Sequence, residues 1–164
     1  MSGGDKTACH HCVRDAVYMQ AKRAHTAPQL EATGVAGLLG IEVGRDSRER
    51  PADVLLGRAQ DTITGGAAAA GRVALDIGIV CLQAAGHLGA ESSQPLGAAE
   101  EYVRTKCARG EVERRCREAG VVFQPMIFES FGGVSVEAER VIKSLNKAVA
   151  VNSEASEEVV ATHF

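Results

Sequence analysis

The chain has 164 residues, with 18 Lys and Arg against 21 Asp and Glu and a formal charge of −3, a length that suits one domain around one core. The acidic balance excludes a protein coated in basic surface, such as a histone-like binder, yet leaves room for a nuclease that keeps acidic ligands in its cleft beside a local basic patch. Charged residues at 24% exclude compositional disorder, and 4% aromatics without Trp leave the core to Val, Leu, Ile and Ala.

In chain order, residues 1–9 read as a disordered tail, 10–151 as the folded domain and 152–164 as an acidic tail. A helix is predicted from His10 to Ala27, with Val13, Ala16, Val17, Met19, Gln20 and Ala24 as a rough apolar stripe. Pro28 is the predicted stop. An apolar, Gly-rich stretch at 35–43 suits a weak strand, and a charged loop follows at 45–51. Residues 52–56 suit a short strand opening after Pro51. After a Gly-, Ala- and Thr-rich loop at 57–71, residues 73–81 are apolar on both faces, as a central buried strand is. Asp76 stands in the middle of that run.

A long helix is predicted from about Pro95 to Ala119, stopped by Gly120. Residues 121–128 suit a strand, and Pro125 within it implies an edge or a bulge. The Gly132-Gly133 turn leads to a last helix from Ser135 to about Val151, capped by Ser135, with Glu137 and Glu139 near its positive end. The order α, weak β, β, β, α, β, α predicts an α/β domain with a mixed or parallel sheet flanked by helices, and the fold expected is the mixed one.

Two acids stand at or within apolar strands: Asp53 in Arg50-Pro51-Ala52-Asp53-Val54-Leu55-Leu56, and Asp76 in Ala74-Leu75-Asp76-Ile77. Burying a lone carboxylate is costly unless it is paired or bound to a metal. Adjacent antiparallel strands can bring two such residues within reach of one cation. Hard oxygen ligands suit Mg²⁺ or Mn²⁺, which activates water and stabilises charge on a phosphodiester. The bland alternative is that each Asp caps a turn or pairs with an Arg.

From Arg50 to about Ala150 the chain resembles the restriction-like endonuclease domain at the C-terminus of site-specific non-LTR retrotransposon polyproteins. The stretches that carry the resemblance are Arg50 to Leu56, Ala74 to Val80, Cys116 to Gly120 with Phe123-Gln124-Pro125, and Phe128 to Gly133. Arg14-Asp15-Ala16-Val17 also resembles the family's first helix. The resemblance implies a restriction-endonuclease-like PD-(D/E)XK core, a divalent metal and DNA cleavage, and activity on DNA would put the protein in the nucleus. It matches Asp53 to the first metal-binding acid, Asp76 to the second and Glu31 to an auxiliary acid. The Lys usual two residues after the second acid is Gly78 here. In this branch a Lys on the following helix stands in, which points to Lys106, with Arg104 as the other candidate.

Cys9-His10-His11-Cys12 has zinc-knuckle spacing, and His25 falls where a third ligand would, but Gln29 occupies the place of the fourth. Zn²⁺ at Cys9 and Cys12 is therefore disfavoured. The five cysteines are odd in number and lack framework spacing, as expected of free thiols in a reducing, intracellular compartment. No apolar run approaches the ~18 residues that cross a bilayer. Arg109, Arg114, Arg115 and Arg117 alternate with Glu111, Glu113 and Glu118, the pattern of a solvated face with internal ion pairs. Two rivals to a nuclease remain: an inactive remnant that binds nucleic acid or protein, and an unrelated α/β domain with structural acids.

Overall fold

The computed structural model describes residues 3–30, 52–58, 71–81, 97–108, 111–130 and 132–153. Its elements are α1 (Gly3–Arg23), β1 (Pro28–Leu30), β2 (Val54–Leu56), β3 (Val73–Val80), α2 (Gly97–Ala108), α3 (Glu111–Glu118), β4 (Val122–Glu129) and α4 (Val136–Ser153). The weak strand expected at 35–43 lies outside the described residues. No helix among the described residues is long and apolar enough to cross a membrane.

The four strands form one mixed sheet in the order β1-β2-β3-β4. β1 and β2, and β2 and β3, pair antiparallel, whereas β3 and β4 run parallel. A parallel pair needs a crossover, and α2 and α3 supply it. Among the described strands β4 is an edge, a place where Pro125 is tolerated in a strand interior. Pro28 does not end the first helix, which stops at Arg23. It opens β1 at the other edge, where a missing N–H costs no ladder bond.

Alternation along β3 sorts the two faces. Val73, Leu75 and Ile77 pack with Val54, Leu56 and Met126 beneath Val17 and Ala21 of α1 and Val141 and Leu145 of α4. On the other face Ala74 packs with Leu55, Val121 and Cys116 of α3, and Val80 with Ile127 and with Ala99 of α2. The result is a sheet between two helical layers.

Helix ends follow local chemistry. Ser135 is buried, and its Oγ accepts the Ala138 N–H at 3.3 Å, the predicted cap. Gly120, at φ 67°, donates its N–H to Arg117, and the Val121 N–H donates to Cys116, the paired bonds of a Schellman stop. His25 fills the same place after α1 at φ 55°, with the His25 N–H on Lys22 and the Thr26 N–H on Ala21. The helix therefore stops before Pro28, not at it. Helix α1 also begins at Gly3, so residues 3–9 are helical where a tail was expected. The crossover holds two helices where one was predicted, and its charged face carries an Arg114–Glu118 pair at 3.0 Å.

Gly78 sits beneath Tyr102 of α2. A Cβ there would lie 2.8 Å from Ile127 Cδ1 and 2.9 Å from Tyr102 Cε1, closer than carbon atoms pack. Gly78→Ala is expected to destabilise the domain by about 1–3 kcal/mol, the usual cost of overpacking a core. Adding Tyr102→Ala should recover part of the loss, as non-additivity in urea unfolding of the single and double variants. Additive losses would contradict this account of the glycine.

Candidate functional site

Asp53 immediately precedes β2 and is 7% exposed. The β2–β3 ladder ends at Val54↔Leu75, so the next outward-facing backbone groups of β3 need other partners. Asp53 supplies them through its backbone N–H and its side chain. Its own N–H donates to the Leu75 carbonyl at 2.8 Å, and its carboxylate Oδ2 accepts the Ile77 N–H at 2.7 Å. The two bonds fall on either side of Asp76. With standard backbone dimensions, Asp53 Oδ2 lies within about 5 Å of the Asp76 Cα.

His10, from the middle of α1, completes the arrangement. Its Nε2 lies 3.2 Å from Asp53 Oδ2 and 3.2 Å from the Ile77 carbonyl oxygen. Both contacts to the Asp53 carboxylate fall on Oδ2, and no described residue hydrogen-bonds Oδ1. The buried carboxylate is thus held by a backbone amide and an imidazole rather than by an arginine.

Asp76 is half-buried and belongs to the face of β3 that carries Ala74 and Val80, away from α1 and α4. Across β3 it stands in register with Pro125. Its charge is felt by Cys116, a thiol with no solvent exposure. Burial first, then the negative charges of Asp76 and Glu113, push that thiol from 9.0 up to about 11. A thiol held neutral in this way is a poor nucleophile, which fits its packing role.

The donors suit a hard divalent cation. Mg²⁺ is ordinarily held by one or two carboxylates and keeps several waters, and Asp53 Oδ1 and the Asp76 carboxylate are oxygen donors on neighbouring residues. Among the described residues, no group of three His, Cys, Asp or Glu side chains gathers into a metal cage. Glu31 lies outside the described residues. Lys106 belongs to α2, but its side chain lies outside the described part of that helix. Arg104 is 69% exposed at its side chain and bonds Glu101 at 2.9 Å, so it turns to solvent rather than to the acids.

The Cys9-to-Cys12 segment is helical, and the helix rises about 16 Å from Cys12 to Arg23 before the chain reaches His25. His25 cannot join these cysteines around one ion in this structure. It is the left-handed residue that stops α1. His10, which sequence reasoning placed inside a zinc pattern, is the partner of Asp53. Its signal was the helical spacing of α1 alone, and nothing local in the sequence ties it to a residue 43 positions away. Cys9, Cys12 and Cys116 are free thiols.

The Cys116 shift has a pH consequence. Between about pH 9 and 11 the unfolded chain has lost the thiol proton and the folded chain has not, so ionisation favours unfolding across that window. The thiol's contribution is fully present below pH 9 and lost as pH rises toward 11. The urea midpoint of the parent protein is expected to fall more steeply over this range than that of Cys116→Ala. Equal slopes over this range would contradict it, whatever constant offset the smaller side chain adds.

Compared with known proteins, the chain matches no family model, no curated protein and no solved structure.

Proposed function

We propose that the chain is a restriction-endonuclease-like domain of retrotransposon origin that hydrolyses DNA phosphodiester bonds with Mg²⁺ or Mn²⁺. The observation that carries the reading is the pair of bonds by which Asp53 grips β3 on both sides of Asp76. That grip is what a shared cation needs from two acids on different strands. The connectivity supports it: one helix, three antiparallel strands, a helical crossover, then a strand parallel to the third. This is the element order that the resemblance to the retrotransposon endonuclease domain implies. The proposed setting is intracellular and nuclear, where DNA is the partner.

In this reading, Asp53 and Asp76 hold the cation, which activates water and offsets phosphodiester charge. Glu31 is the auxiliary acid. Lys106 takes the role of the Lys that Gly78 replaces. Ala99 of α2 packs beside Val80, and its N–H donates to Glu129 at the end of β4, while Tyr102 covers Gly78. The helix thus runs antiparallel to β3. One further helical turn advances about 5.4 Å, close to the rise of two strand residues, which brings the backbone at Lys106 level with Asp76.

A second reading is favoured by the crowding at Gly78: an inactive module on the same scaffold that binds nucleic acid or protein. With Ile127 and Tyr102 closed over that position, a Lys there has no room.

Nicking of supercoiled plasmid in Mg²⁺ or Mn²⁺ separates the two. The nuclease reading expects cation-dependent nicking that Asp76→Ala slows by more than about 100-fold, since even the outer partners of a metal are worth about 10–100-fold. DNA retardation without nicking by the parent protein would move the assignment to the binding module.

A further inference from the structure

We infer that His10 is the positioning residue of the cation site, the group that fixes Asp53 so that Oδ1 is presented to the metal. The inference rests on the proposed cation site. The Ile77 carbonyl can only accept a hydrogen bond, so the His10 nitrogen facing it, Nε2, is the one that carries a proton. The same N–H faces Asp53 Oδ2 at an equal 3.2 Å, and is therefore shared between the two oxygens. Oδ2 then receives two donors from different directions, the Ile77 N–H at 2.7 Å and the imidazole N–H. A carboxylate held by two donors on one oxygen no longer rotates freely about its Cβ–Cγ bond, and the other oxygen has a defined direction.

The placement of His10 favours this role over simple space filling. Its side chain is 26% exposed, so it is not a plug in the core. It reaches Asp53 from α1, on the helical layer opposite the face that carries Asp76. The imidazole therefore braces Asp53 from behind without entering the space in front of Asp76. Outer groups that orient a metal ligand in this way typically contribute about 10–100-fold in metal affinity.

The test is Mn²⁺ binding to the full chain, followed by calorimetric titration and independent of cleavage. Asp53→Asn is expected to abolish binding. His10→Ala is expected to weaken it by about 10–100-fold, and His10→Gln, whose amide N–H can replace the imidazole donor, should return the affinity close to the parental value. His10→Leu fills the same space without a donor and replaces His10→Ala if the smaller side chain fails to fold, as judged by melting without metal. Parental affinity in the donor-less variant overturns the inference and leaves the cation site standing. Failure of His10→Gln to recover affinity overturns it too, because shape rather than the N–H would then matter. Absence of Mn²⁺ binding by the parent protein overturns the cation site and the inference together.

Discussion

The hydrogen bond from the Ile77 N–H to Asp53 Oδ2 is the constraint that organises the site. β2 is only three residues long, and its ladder with β3 ends at Val54↔Leu75. Beyond that point β3 would leave backbone groups without strand partners in a largely buried setting, at a cost of about 1–3 kcal/mol for each unmade bond. Asp53 and His10 take the place of the missing strand. A side chain used this way carries a charge into the interior, and that charge is tolerated because it is bonded on arrival. The same bond sets the distance between Asp53 and Asp76, so a structural need of the sheet and the proposed cation site are met by one carboxylate.

The opposite face of β3 is governed by close approach. Gly78 lets Tyr102 and Ile127 close over the strand, and the Glu129 carboxylate receives the Ala99 N–H at the first turn of α2, a favourable place for negative charge. These contacts set the direction of α2 along the sheet. In the proposed nuclease reading, the glycine that stands where a Lys is expected is also the residue against which Tyr102 seats the helix carrying Lys106. The substitution and the proposed replacement belong to one packing solution.

Much of the fold was legible because its signals are local. The apolar run around Asp76 marked β3, the proline in β4 marked an edge, and Ser135 and Gly120 marked a helix start and a helix stop. Asp53 and Asp76 stood out because carboxylates are costly beside apolar strands. What stayed hidden depends on distant partners. His10 sits in a Cys-His-His-Cys pattern that suggests zinc, and only folding brings it to Asp53. The stop of α1 at His25 was hidden because histidine's preference for the left-handed region is far weaker than glycine's, so the proline downstream drew the boundary. The start at Gly3 was missed because the apolar stripe begins only near His10. The break between α2 and α3 was missed because the alternating charges run through both helices.

Asp53 and Asp76 are proposed to face one cation. Crystals soaked in Mn²⁺ and measured at a wavelength where manganese scatters anomalously test it most directly. The account predicts an anomalous peak within about 2–2.6 Å of one oxygen from each of Asp53 and Asp76, the usual range for hard divalent cations, with the His10 bond to Asp53 Oδ2 intact. A peak held by other residues, or two carboxylates that turn apart with no peak between them, would contradict it.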